Sequence, residues 1–481
     1  MSKNFSQKVF FLIAVNLLIK PLWIFGVERV VQIKTGFDTY GLYFTLFNFT
    51  YLFSLLSDMG INNYNIKLLT HKHTQGIKSA NLLEIKLLLS IIYLISVLLI
   101  AFVLGYTQTS FLLLITLIFY QFGFSFLGFL RSHLTGLQLY KTDVLFSVLD
   151  KILLLILFIP LLNLSYFNTI NLSIQYFASA QLTAIFISIL IGIIIVKDKI
   201  NFQLKGFKLS LLKETILQLL PFSLFMFLVL AYNKVDSIML ERMLDNGAAE
   251  SGNYAAAYRL LDAFTMIPVL FASFFYPMLS KQLAEKKSIA NWMNTSSELL
   301  ISIAIIIAIS LSFFAKEWMK LLYPTHHSIY LTQIFSVLIL SIIPISIYFI
   351  FSSALTAKGS LKILNLIAFG SLILNVLLNV FMIPNYHAFG AALATIISLG
   401  LAAIIYVYFY HQQFKAKPNI KLLFKLIVLG TLMCLSTKLF EYFETYWLIK
   451  FGGIVIFGFL VSFILKLIQP KKIISLLKFT A

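Results

Sequence analysis

LLEIKLLLSIIYLISVLLIAFVL, from Leu82 to Leu104, decides the fold. Its two charges, Glu84 and Lys86, both sit within the first five residues, and everything beyond them is apolar or hydroxylic. As a helix at 1.5 Å per residue it reaches about 34 Å, enough to cross a hydrocarbon layer about 30 Å thick. A surface helix of a water-soluble domain keeps a polar face, which this stretch lacks.

Working outward, runs of the same kind recur along the whole chain. Fourteen are read, at about 9–30, 41–60, 82–104, 110–131, 143–163, 174–196, 215–236, 252–279, 295–315, 329–355, 362–383, 389–411, 421–439 and 447–469. The composition agrees: 60% of the 481 residues are hydrophobic and 11% charged, with a mean hydropathy of +0.94. That leaves too little polar surface to cover a soluble particle. The expected fold class is an all-α polytopic membrane protein. Connections are mostly shorter than about 20 residues, so no soluble catalytic domain fits between the spans. The polar Met1–Lys8 followed by a long apolar run from Val9 reads as a retained first helix rather than a cleaved leader.

The net charge of +19 needs a separate explanation on so apolar a chain. Placed on the fourteen-span map, 25 of the 37 Lys and Arg residues fall in loops on one side and seven on the other. By the positive-inside rule both termini are cytoplasmic. The basic loops carry no nucleic-acid-binding module, and topology explains them. Within the connections, 197–213 is basic and joins the sixth and seventh spans, a natural boundary between two six-helix halves. The expected division is 1–200 as an N-terminal lobe, 201–413 as a C-terminal lobe and 414–481 as two additional helices. A short echo supports it: Gly41-Leu42-Tyr43 opens the second span and Gly252-Asn253-Tyr254 the eighth. An even number of intervening spans gives both copies the same direction in the membrane.

Four segments resemble the polysaccharide (O-antigen) flippases of the multidrug/oligosaccharidyl-lipid/polysaccharide exporter superfamily, which share the MATE-like fold. They are YGLYFTLFNFTYLFSLLSDMGI (Tyr40–Ile61), VDSIMLERML (Val235–Leu244) leading into SGNYAAAYRLLDAFTMIPVLFASFFYPMLSK (Ser251–Lys281), NLIAFGSLILNVLLNVFMIPNYHAFGAALAT (Asn365–Thr395), and the long first helix with its charges. The resemblance implies two six-helix bundles around a central cavity that opens alternately to each side. It implies a bacterial inner-membrane protein that moves an undecaprenyl-diphosphate-linked oligosaccharide between leaflets without making or breaking a bond. Its expected partners are that lipid-linked oligosaccharide, membrane lipids, and the polysaccharide polymerase and chain-length machinery; no cofactor and no nucleic acid are expected.

Five cations remain inside the spans: Lys20, Lys86, Lys151, Lys234 and Arg259. Ionisable groups there face a cavity or a partner. Lys20, beside Pro21 near the middle of the first span, either lines a cavity or pairs with a neighbour. Arg259 lies about 10 Å inside the eighth span, with Asp262 at i+3 on the same face, so a structural pair and a substrate contact both fit. Guanidinium binds phosphate bidentately and lysine adds point charge. Arg259, Lys20, Lys151, Lys234 and Arg29 are therefore the candidates for diphosphate and sugar binding. Glu28, Asp236 and Asp262 are candidates for ion coupling or for charge pairing with Arg29, Lys234 and Arg259. Asp150-Lys151 reads as a mixed cavity or interhelix pair. Lys86 reads as snorkelling to the membrane edge beside Glu84. Asn375 and Asn379 read as interhelical hydrogen-bond donors or sugar contacts, and Gly390, Ala394 and Ser398 as a packing stripe.

Catalytic signals are weak. His71 with His73, and His326 with His327, lack third and fourth metal ligands, and no GxxxxGK phosphate loop is present. The single Cys434, in an apolar run, is expected to be buried, and it excludes an intramolecular disulfide. A cation-coupled drug antiporter of the same fold is the second functional reading. The excess of cations over carboxylates in the spans disfavours it.

Overall fold

The computed structural model describes residue 15 and residues 18–70, 79–106, 110–163, 172–197 and 209–469. The start of the first span, His71 and His73, and most of the basic 197–213 loop lie outside these residues. Every regular element among the described residues is helical.

The helices pack as two compact units, one comprising residues up to Arg242 together with 246–252, the other 243–245 and residues from Asn253 onward. In the first unit a π-helical turn, Ile24–Glu28, runs into α1 (Arg29–Thr35), followed by α2 (Phe37–Ser54), α3 (Ile61–Thr70) and α4 (Ser79–Val103). Next come α5 (Phe111–Gly136), α6 (Tyr140–Phe146), α7 (Leu149–Asn163), α8 (Ile174–Val196) and α9 (Leu209–Met243), nearly all of which belongs to this unit. In the second lie most of α10 (Gly247–Ala284), then α11 (Ala290–Phe313), α12 (Ala315–Leu322), α13 (Ile329–Leu338), α14 (Ile342–Ala357), α15 (Leu361–Phe414), α16 (Ile420–Glu441) and α17 (Trp447–Ile464).

Ten helices among the described residues are long and apolar enough to cross a membrane. One of them, α15, has 54 residues and covers the two spans read separately at 362–383 and 389–411. At about 81 Å it is far longer than a bilayer is thick. Its backbone leaves the helical region at His387 (φ 53°, ψ −133°), three residues after Pro384, which brings no N–H to the helical ladder. Each half is thus long enough to span by itself.

The interior is apolar and closely packed. Tyr120, Leu127, Leu130 and Leu134 of α5 bury against Ile185, Ile189 and Val196 of α8. In the second unit Trp318 of α12 meets Trp447 and Phe451 of α17, which anchors one of the two C-terminal helices. The Gly41 and Gly252 of the sequence echo turn out to lie at one crossing. A Cβ on Gly41 would collide with the backbone of Ala248 and Gly252, and one on Gly252 with that of Phe37. The Gln32 amide fixes the crossing by donating to the Gly252 carbonyl at 2.9 Å.

One expectation about packing is overturned. Cys434 is exposed on α16 rather than buried. An apolar run in a span turns part of its circumference to lipid, so hydrophobic surroundings in sequence do not imply burial in protein.

Candidate functional site

Side chains of the first unit gather around Lys151. Its ammonium lies 3.2 Å from the Asp150 carboxylate, donates to the Tyr120 hydroxyl at 3.3 Å, and stands 4.9 Å from the centre of the Trp23 ring and 5.8 Å from that of Tyr120. Glu28, buried in the π-helical turn, also interacts electrostatically with Lys151. A π-helical turn inserts an extra residue per turn and re-aims the side chains that come after it. Here it carries Glu28 toward the α7 lysine. The next residue, Arg29, is partly buried, and its Nε has no hydrogen-bond partner among the described residues.

Trp23 stacks on Phe177 at 5.9 Å, and Phe177 meets Tyr43 and Phe158 edge-on. Tyr43 in turn donates to the Gln181 side-chain amide oxygen at 2.8 Å. The walls around Lys151 are therefore locked by rings from four helical segments. On the other side, Tyr120 adjoins Phe47 and Phe124, and both of these adjoin Tyr51. The Lys234 ammonium lies 5.9 Å from the Tyr51 ring centre. Helix α9 is pinned to α2 next to this lysine. Asn48 donates to the Ser237 hydroxyl at 2.9 Å, and Thr45 reaches both the Ser237 carbonyl and the Ser251 hydroxyl. Asp236 is buried beside them.

The structure thus brings Glu28, Lys151 and Asp150 together, with Lys234 across four aromatic rings. Lys20 is exposed on the turn before Trp23. Arg259 and Asp262 belong to the second unit, where they approach to 3.8 Å as an i,i+3 pair. In that unit Asn375 donates to Ser398 at 3.4 Å, linking the two halves of α15, and Asn379 donates to Asn375 at 3.2 Å along its own half. Interhelical bonding explains Asn375.

Lys86 departs from expectation. It does not snorkel: its side chain is fully buried, 3.4 Å from Asp58 and 2.6 Å from the Ser125 hydroxyl. Met59 and Gly60 have positive φ and break the chain between α2 and α3, which turns Asp58 toward α4. Sequence reading missed Asp58 because its partner is 28 residues away across that break. It also missed Trp23, Phe47, Tyr51, Tyr120 and Phe124, which have no distinguishing signal among 48 Phe, 23 Tyr and 4 Trp.

At the outer margin of the unit, Tyr106, just beyond α4, donates to Glu241 at 2.8 Å while the Arg242 guanidinium lies 3.6 Å from its ring centre and bonds the same carboxylate. Burial, reinforced by the Glu241 charge, pushes the Tyr106 phenol above its ordinary range.

Comparison with known proteins places these features. The profile of a family described as polysaccharide biosynthesis protein matches residues 5–283, and that of a family described as MatE matches residues 221–381. No match is found among curated proteins. Among solved structures, the lipid II flippase MurJ in an inward closed conformation superposes with a TM-score of 0.65 at 18% identity, covering 98% of this chain and 100% of that one. An inward-facing multidrug resistance MATE family transporter of the MOP superfamily gives 0.59 at 14% identity, covering 84% and 98%. A mutant of the Vibrio cholerae MATE transporter VcmN gives 0.55 at 16% identity, covering 86% and 98%. At such identities the likeness is one of fold: all-helical, membrane-embedded and MATE-like.

Proposed function

The chain belongs to the polysaccharide biosynthesis protein family, and from that premise we propose that it is a flippase for an undecaprenyl-diphosphate-linked oligosaccharide. It works by alternating access in the bacterial inner membrane, with both termini cytoplasmic, and supplies repeat units for O-antigen, capsular or exopolysaccharide assembly. No bond is made or broken. The two six-helix lobes divide near residue 200, and 414–481 adds two helices. The polymerase and chain-length machinery are its downstream partners.

One observation carries this reading: two partly exposed lysines, Lys151 and Lys234, sit at mid-depth of the first unit. Lys234 is nine residues before the end of α9, about 14 Å along the axis, and Lys151 is twelve before the end of α7, about 18 Å. A charge at that depth persists only where water or a counter-charge reaches it. The diphosphate of a lipid-linked sugar is such a counter-charge, and the lipid tail has no need to leave the bilayer. Arg29 and Lys20 from the first helix extend the cationic lining, and Arg259 is proposed as a phosphate ligand within its own unit.

Glu28, Asp236 and Asp262 are proposed either to couple transport to an ion or to pair with neighbouring cations, as Asp262 does with Arg259 at 3.8 Å.

The match of residues 221–381 to the MatE profile supports a second reading, a cation-coupled small-molecule antiporter. Substituting Lys151 and Lys234 with Ala in the native host and measuring surface polysaccharide separates the two. Lost polysaccharide with unchanged drug resistance supports the flippase, and the reverse pattern supports the antiporter.

A further inference from the structure

Phe47 and Tyr51 stand one turn apart on α2, and Tyr120 and Phe124 one turn apart on α5. Their ring centres form a closed four-membered circuit: 6.3 Å from Phe47 to Tyr51, 6.4 Å from Tyr51 to Phe124, 6.4 Å from Phe124 to Tyr120 and 5.9 Å from Tyr120 to Phe47. The two pairs along the helices are near-parallel stacks, at 29° and 24°. The pairing in register shows that α2 and α5 run parallel here. The circuit lies about 14 to 21 Å from the first residue of either helix, the middle of a bilayer about 30 Å thick.

Lys151 adjoins Tyr120 and Lys234 adjoins Tyr51, and these two tyrosines are opposite corners of the circuit. Both lysines and Tyr51 are partly exposed, and Phe124 is 43% exposed. Lysines at this depth mark a water-reached surface rather than a lipid-facing one. Phe47, Tyr51 and Phe124 share that surface, and Tyr120 is buried at the fourth corner. Packing alone does not require two cations at the rim of an aromatic tile, and lipid would exclude them.

We propose that this four-ring tile is the sugar platform of the flippase: its lysine-flanked corners hold the diphosphate, and Tyr51 and Phe124 stack against the pyranose proximal to it. The electron-rich faces of aromatic rings attract the polarised C–H faces of a sugar, which are the ring faces free of axial hydroxyls. The tile therefore selects for a pyranose that presents one unobstructed C–H face and does not read the rest of the glycan. This proposal rests on the flippase reading above and specifies which part of the substrate each group takes.

The test uses full-length protein in nanodiscs and two probes, farnesyl diphosphate and farnesyl-diphospho-N-acetylglucosamine, with affinity read by calorimetry. Wild type is expected to bind the sugar-bearing probe more tightly. Phe124→Leu and Tyr51→Leu should each erase roughly three- to tenfold of that increment, the scale of one ring stacked on an aromatic face, and leave the sugar-free probe unchanged. Phe124→Trp should keep the increment, which separates stacking from misfolding. Loss of affinity for both probes alike in the Leu variants, or an increment that survives both substitutions, overturns the platform. Lys151→Ala with Lys234→Ala should weaken both probes. If both probes bind that double variant as well as wild type, the flippase reading itself fails, and the platform with it.

Discussion

Removing Asp58 should unfold the first unit far more readily than removing the lysine it faces. Lys86 is fully buried, and its ammonium has Asp58 at 3.4 Å and the Ser125 hydroxyl at 2.6 Å. At 3.4 Å and an effective dielectric of about 20, the attraction is about 5 kcal/mol. Burying the ammonium costs several kcal/mol, so the intact pair is close to neutral overall, and its importance shows only when one partner is removed. Asp58→Asn leaves a buried ammonium held by Ser125 and an amide, for an expected loss of about 3 to 5 kcal/mol. Lys86→Met leaves a carboxylate that is 21% exposed and can be hydrated, so the expected loss is smaller, about 1 to 2 kcal/mol. The double variant should be more stable than Asp58→Asn alone, because no charge is stranded. Equilibrium unfolding in bicelles by steric trapping measures all four corners of this cycle. If the two losses simply add, or if Asp58→Asn costs under about 1 kcal/mol, then Lys86 is not neutralised by Asp58.

The packing sets further outcomes elsewhere in the chain. Gly41→Ala should lower the apparent melting temperature by several degrees, because its Cβ meets backbone that cannot move aside, whereas Gly430→Ala, with open space around it in the middle of α16, should raise it slightly because Ala is the better helix former; fluorescence-detected thermal denaturation compares them. Tyr106→Phe should cost about 1 kcal/mol by deleting the bond to Glu241. The Tyr106 phenol is raised in the folded protein, so the unfolded chain loses its proton first as pH climbs above about 10; wild type should then lose more stability than Tyr106→Phe between about pH 9 and 11. Asn375→Leu should weaken the link between the two halves of α15 by about 1 kcal/mol, seen as earlier unfolding in a denaturant titration.

The spans were legible because the bilayer imposes one demand on every segment, about 20 apolar residues with internally satisfied backbone. Leu82–Leu104 meets it without reference to any other part of the chain. The gap read between 383 and 389 marked the break in α15 for the same local reason. The Gly41 and Gly252 echo was visible, but its meaning, two backbones in contact, appears only when α2 and the start of α10 cross. Site geometry was legible in part. Lys151 and Lys234 stood out because a cation in an apolar run is costly wherever it lies. Their aromatic surroundings did not, since Tyr51 and Tyr120 differ in nothing local from the other tyrosines. The burial of Lys86 was hidden because a lysine five residues into a span looks the same whether it snorkels or pairs. Only the turn at Met59 and Gly60 brings Asp58 to it.

The measurement closest to the central claim is translocation itself. Purified protein in proteoliposomes is given a fluorescently labelled polyprenyl-diphosphate oligosaccharide in one leaflet, and arrival in the other is read by quenching from outside. Transfer well above that in protein-free vesicles, abolished by Lys151→Ala with Lys234→Ala and unaffected by Lys450→Ala in the first turn of α17, is the expected result. Transfer at the protein-free rate, or equal transfer with and without the two lysines, would contradict it.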